Sequence, residues 1–295
     1  MKFLKIIPKL LFLSLVFGTS ATVNADEGFN IQSCPTKASG NASASYIQNN
    51  LNGNCLHTPD KFEIIIYEMG LCAPGQNPIG SNGSTLDLKK CVSTMKSDGS
   101  RVDLAPGSNP EKTEVLPQAT TRPPSNTYNF AYIILSKDIK MNGKYELSNG
   151  DICVSKQGTD FDGFKFGLPD CSSGATQLDH FDNLNDMGDG ETWAGYMSAT
   201  TMPTGGSVEA LLLKGDNTIA SNKNDVQRLI GLFKTDAAKP VIISDDTAGL
   251  EMVLEVAVNE EGKGGSYIVI TNADESGPYF EAFNSAPFKP RFTTF

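Results

Sequence analysis

Eight acidic side chains crowd one stretch of the chain: Asp160, Asp162, Asp170, Asp179, Asp182, Asp186, Asp189 and Glu191, against a single Lys165 and His180. Acidic loops punctuated by glycine let carboxylate and carbonyl oxygens converge on a hard cation, and Gly163, Gly188 and Gly190 supply that punctuation. Asp160, Asp162, Asp182, Asp186 and Asp189 are therefore the candidate ligands for calcium. The spacing departs from an EF-hand loop, because Asp160-Phe161-Asp162-Gly163 lacks the third acidic position and the closing glutamate. A solvated acidic face beside Cys153 and Cys171 is the plainer alternative.

The second chemical resource is sulfur. Cys34, Cys55, Cys72, Cys91, Cys153 and Cys171 make an even set, which in an exported protein reads as a disulfide framework. Consecutive cysteines recur across similar intervals, so nearest-neighbour pairing is expected: 34 with 55, 72 with 91, 153 with 171. Each bridge then clips a local loop. Zinc binding would call for a close Cys-x-x-Cys or His-x-x-x-His arrangement. Neither occurs, and His57 and His180 are the chain's two histidines.

Catalytic motifs are missing. The chain has no Gly-x-Ser-x-Gly elbow, Walker loop, dinucleotide fingerprint or His-Glu-x-x-His, so the chemistry those arrangements support has no local carrier. A serine triad would have to recruit His57 or His180, and nothing around either supports it. Paired carboxylates for glycoside hydrolysis remain the one catalytic alternative, since such acids come together from distant strands.

Charge narrows the partners. The formal net charge is −10, and removal of residues 1–25, with three lysines and no acids, takes it to −13. Phosphate backbones need a basic surface, so a nucleic-acid partner is disfavoured. An acidic surface also keeps an extracellular protein soluble.

Residues 1–25 read as a signal peptide. Met1, Lys2, Lys5 and Lys9 form a basic start, Leu10 to Phe17 an apolar core, and Val23-Asn24-Ala25 a small-residue cleavage site. The apolar run is much shorter than the roughly 20 residues that span a bilayer. Cleavage is expected after Ala25, with no transmembrane helix in the mature chain. That places the protein outside the cytoplasm: extracellular, at the cell surface or periplasmic.

The elements that must carry these residues are mainly short strands. Residues 26–60 form a disulfide-tethered N-terminal segment with a helical turn or two around Ala44, Ile47 and Leu51. Phe62 to Tyr67 and Phe130 to Leu135 are apolar on both faces and predict buried strands. Ser97-Asp98-Gly99-Ser100 predicts a hairpin turn, and Asn142-Gly143 and Asn149-Gly150 punctuate a meander. The proline-rich stretch 106–124 predicts an extended crossover. Met252, Leu254, Val256 and Val258 alternate with Glu251 and Glu255, as a half-buried antiparallel strand does. Val226, Leu229, Ile230 and Phe233 recur at helical spacing, with Asn222 or Asn224 as N-cap, and predict a short amphipathic helix.

Such spacing describes a mostly β fold: an antiparallel β-sandwich over 61–295, one large or two smaller, with one or two short helices and stapled loops. A subdivision would fall near 106–124 or 172–206. A transmembrane barrel closing on Phe288, Phe292 and Phe295 fits less well, because aromatic girdles are absent and Trp193 is the one tryptophan. Two function classes follow. The first is a secreted or surface-displayed structural or interaction protein, such as an adhesin, a filament or envelope subunit, or a ligand-binding sandwich. It would meet a protein or carbohydrate partner or assemble with itself. The second is an extracellular hydrolase acting on polysaccharide through paired carboxylates.

Overall fold

The computed structural model describes residues 32–35, 42–105, 121–158, 167–188, 192–201, 206–235, 239–255, 266–271, 279–285 and 289–295. The signal-peptide residues 1–25, residues 106–120 of the proline-rich stretch, and Val256 and Val258 lie outside them. The helix α1 spans Ala44–Asn50 and begins where the Ser43 hydroxyl accepts from the Tyr46 amide at 3.0 Å. Such a cap satisfies one of the amides a first turn leaves without a partner. The helix buries Ile47 and stops where Asn52 and Gly53 turn to positive φ.

The strands run in chain order as β1 Asn54–His57, β2 Lys61–Cys72, β3 Cys91–Asp103, β4 Asn126–Tyr128, β5 Phe130–Ser136 and β6 Asp138–Asn142. They continue as β7 Lys144–Glu146, β8 Ile152–Gln157, β9 Gly167–Asp170, β10 His180–Asn183, β11 Tyr196–Thr201 and β12 Ser207–Leu213. The last six are β13 Arg228–Lys234, β14 Val241–Ile243, β15 Leu250–Glu255, β16 Ser266–Thr271, β17 Tyr279–Ser285 and β18 Lys289–Thr294. The larger sheet follows the order β10-β6-β2-β5-β13-β12-β11, with β3 paired to β2 off that path. The smaller follows β1-β16-β17-β9-β8-β7, and β14-β4 and β15-β18 form two-stranded sheets. The fold is mostly β, its antiparallel sheets curled into half-barrels, with one α-helix among the described residues and three disulfides. This is the class the sequence predicts.

Strand β2 organises the larger sheet. Its residues 61–63 pair with β6 and its residues 66–72 with β5, while β3 runs along its other side. Phe62, Ile64 and Ile66 enter one core with Ile133, Leu135, Leu212, Leu229 and Phe233. The register then shifts between Ile66 and Glu68. One extra residue in a strand exchanges its faces. Beyond the shift, Cys72 joins a second core on the opposite face, with Tyr132, Ile134, Leu211, Ile230 and Leu232. The loop 73–90 covers that core with Ile79, Leu86 and Leu88, held at its base by Cys72–Cys91.

Three local expectations are corrected. The stripe Val226, Leu229, Ile230, Phe233 is not a helix: residues 228–234 are the strand β13, hydrogen-bonded to β5 on one side and β12 on the other. A strand buried on both faces carries no polar alternation, so its apolar run satisfies a helical template equally well. Asn222 does cap, but it caps the 3-10 turn Lys223–Asp225, after which Val226 is extended. Ser97 to Ser100 is not a hairpin either, because both flanks pair with the same strand, Met95 with Met69 and Arg101 with Ile65. The Ser97 hydroxyl accepts from the Gly99 and Ser100 amides and donates to the Ile66 carbonyl, folding the polar residues into an irregularity of one long strand.

Asn142-Gly143, the third, is a corner at which the chain leaves the larger sheet for the smaller. β6 pairs with β2 and β10, whereas β7 pairs with β8. Asn149-Gly150 does close a hairpin, between β7 and β8, with Gly150 at φ +88°.

Candidate functional site

The cysteines pair as their spacing predicts: Cys34–Cys55, Cys72–Cys91 and Cys153–Cys171, at sequence separations of 21, 19 and 18. Cys34 also brings residues 32–34 alongside β1, where the Cys34 amide donates to the Leu56 carbonyl at 2.8 Å and the Leu56 amide to the Gln32 carbonyl at 2.7 Å. The N-terminal segment thereby occupies one outer edge of the smaller sheet.

The candidate calcium ligands fare unequally. Asp160, Asp162 and Asp189 lie outside the described residues. Asp182 and Asp186 take separate partners. Asp186 Oδ1 accepts from the Gly188 and Ala194 amides at 2.8 and 2.9 Å, which ties a turn. Asp182, buried in β10, accepts from the Ser285 amide of β17 at 2.6 Å. Burial pushes its carboxyl up to about 6, since desolvation penalises the charged form. Among the described residues, no three or more His, Cys, Asp or Glu side chains gather as a metal set.

The other acids of the stretch hold strands together. Asp179 Oδ2 accepts from Lys61 and Lys140, each at 2.8 Å, and Oδ1 from the Asn142 side-chain amide at 2.6 Å. Partial burial opposes its ionisation, yet these donors hold it down to about 2. Asp170 accepts from Lys156 and Ser172.

The two histidines meet one aromatic ring. Phe283 of β17 lies 5.8 Å from the His57 ring and 6.5 Å from the His180 ring, centroid to centroid. Both imidazoles are buried, and desolvation lowers each to about 4. Glycines make room for them: a Cβ on Gly143 would sit 2.7 Å from His57 Nε2, and one on Gly167 2.5 Å from His180 Nε2. Ser155 stands in the same junction but is no nucleophile for a triad, because its hydroxyl donates to the Leu178 carbonyl and accepts from the Gly143 amide.

Two buried glutamates belong to no motif in the sequence. Glu68 Oε1 accepts from the Tyr132 hydroxyl at 2.7 Å, with Lys96 Nζ at 3.5 Å. Glu209 Oε1 accepts from the Tyr196 hydroxyl at 2.7 Å and Oε2 from Asn77 at 3.2 Å. Burial, then the glutamate bonds, raise both phenols, Tyr196 to about 12. The available signal is a lone glutamate near an apolar run, Glu68 after Ile64-Ile65-Ile66 and Glu209 before Leu211-Leu212-Leu213. Glu68 lies on β2 and Glu209 on β12, with β5 and β13 between them. Three strand spacings of about 4.8 Å put roughly 14 Å between their backbones. A glycosidase pair works across about 5–9.5 Å from carboxyls open to substrate, whereas these two are 7% and 8% exposed and bonded to tyrosines.

No family model matches this chain, and no curated protein or solved structure matches it either.

Proposed function

We propose that the chain is an exported module that acts by contact, as a surface-displayed or secreted structural or interaction protein. The observation that carries this reading is the use made of its interior polar groups. Glu68 and Glu209 tie strands and the stapled loop through Tyr132, Tyr196 and Asn77, and Asp182 ties one sheet to the other. Among the described residues the buried carboxylates, Glu68, Asp182 and Glu209, are all engaged in internal bonds rather than open to a substrate.

Export is supported by the basic and apolar leader of residues 1–25 and by three disulfides, which persist in oxidising compartments. Among the described residues no helix is long and apolar enough to cross a membrane. The outer strands favour contact through loops and faces over strand-to-strand polymerisation. In the two large sheets β3 and β11 carry register shifts, β7 has three residues and β10 four, and β1 is flanked by residues 32–34. Bulges, short edges and covered edges each discourage pairing with another chain. A protein or carbohydrate surface is the partner class.

The test is the size of the protein recovered from the native cell surface, together with hydrolysis assays on a panel of polysaccharides. A complex or assembly larger than the monomer and no turnover are expected. Turnover of any polysaccharide on that panel would establish the hydrolase instead.

A further inference from the structure

The larger sheet reaches the smaller one through a short strand, β10. His180 and Asp182, two residues apart on it, are both buried. His180 packs against Phe283 of β17 and over Gly167 of β9, and Asp182 accepts the Ser285 amide of β17. His180 is 0% exposed, and neither of its ring nitrogens meets a hydrogen-bond partner among the described residues. A neutral imidazole tolerates such a place better than a charged one, which would bring two N–H donors and a full charge into it.

We propose that this seam is an acid-sensitive latch: protonation of His180 parts β10 from the six-stranded sheet while the remaining strands of both sheets stay paired. The carboxylate that acts on the imidazole, the adjacent Asp179, is not free to serve as its counter-ion. On the segment leading into β10, Asp179 is already bound by Lys61 of β2, Lys140 of β6 and Asn142. Those two lysines add positive charge to the same corner. Asp138, also of β6, stands at the other end of the strand pair, opposite Asn183. Across the seam, the charged groups among the described side chains of β8, β9 and β17 are Lys156 and Asp170, 3.2 Å apart and paired with each other. His57 is the titratable group of β1, and Asp60 is the carboxylate that acts on it.

The order of titration completes the device. Asp182, raised to about 6, is neutral before His180, lowered to about 4, takes its proton. The one carboxylate on the same strand thus loses its charge before it can offset the imidazolium.

The protein carries its own reporter. Trp193, the single tryptophan, donates from Nε1 to the Asn185 carbonyl at 3.0 Å, and Asn185 lies just beyond β10. The experiment follows tryptophan emission, far-UV circular dichroism and histidine proton resonances of the full chain, disulfides formed, from about pH 7.5 to 2.5, a range that reaches below both the ordinary imidazole titration and the lowered one. The expected result is a reversible emission change with far-UV signal retained, coincident with His180 protonation. His180→Phe, apolar and unable to protonate, should move that midpoint at least about one pH unit lower. Should that variant fail to fold, the wild-type resonances decide. A His180 resonance titrating near the ordinary value of about 6.5 with unaltered emission overturns the latch. So does an unshifted midpoint in His180→Phe, an absence of any emission change, or loss of the far-UV signal at the same pH, which is global unfolding.

Discussion

The Tyr132 hydroxyl donates to the Glu68 carboxylate at 2.7 Å from neighbouring strands of the larger sheet, and both residues are buried. The register shift in β2 makes this contact, since it brings Glu68 opposite Ile134, on the face that Tyr132 occupies. Hydrogen bonds to charged acceptors contribute about 1.5–3 kcal/mol. Tyr132→Phe should therefore destabilise by about 2 kcal/mol in urea unfolding, and a double-mutant cycle with Glu68→Gln should show coupling of about 1 kcal/mol or more. Additive effects would mean that the bond contributes nothing.

Removal of one disulfide should be felt well beyond the bridge. The Cys72–Cys91 loop, at a sequence separation of 19, covers the core that contains Tyr132 and Leu232. The paired Cys72→Ala and Cys91→Ala variant should lose about 3 kcal/mol on the chain-entropy estimate. Limited proteolysis should then cut within 73–90 first. Unchanged stability with an intact loop would show that packing alone secures it.

Acid should weaken the fold as a whole between neutrality and pH 4. His57 and His180 are lowered to about 4 in the folded protein, so the unfolded chain binds their protons first. Their contribution is complete above the unfolded value and is lost as pH falls from about 6.5 toward 4. Asp182 acts in the opposite sense. Its raised value of about 6 favours folding at low pH, and that advantage disappears as pH rises through 6. Each tenfold change in a group's proton affinity on folding corresponds to about 1.4 kcal/mol. Two histidines outweigh one aspartate on that scale, which leaves a net loss of about 3 kcal/mol. Denaturant midpoints at several pH values would measure it, and a midpoint that rose steadily on acidification would contradict it.

Gly83 and Gly150 make a matched comparison. Both have positive φ, +69° and +88°. A Cβ on Gly83 would also come within 2.6 Å of the Tyr196 ring, whereas Gly150 has nothing within 4 Å. Gly150→Ala should cost about 1 kcal/mol of backbone strain, and Gly83→Ala about 2–3 kcal/mol because overpacking is added. Equal thermal shifts would remove the role assigned to the Tyr196 contact.

Particular residues explain why some of the fold is legible in the sequence and some is not. Disulfide pairs are legible because each closes a short local loop, and β5 is legible because Phe130 to Leu135 is a short run rich in aromatic and β-branched residues between polar neighbours, Asn129 and Ser136. Strand β13 is not, since Leu229, Ile230, Leu232 and Phe233 are buried from two sides and such a run has no distinctive period. Asn142-Gly143 gives a true turn signal, but no local signal says which sheet the chain enters next. The seam around Phe283 is invisible, because His57, Gly143, Gly167, His180 and Phe283 come together from five separate segments.

Asn54 of β1 is matched with Val269 of β16, so more than two thirds of the chain lies between two neighbours in one sheet. A polypeptide synthesised from its N-terminus has every strand of the larger sheet in hand by Lys234, while β1 still waits for β16 and β17. Pairings of such long range form slowly, and the waiting edges are exposed to aggregation. Cys34–Cys55 and Cys153–Cys171 each join residues born close together, so both can lock their pieces during that wait and hold them ready for the last strands to arrive.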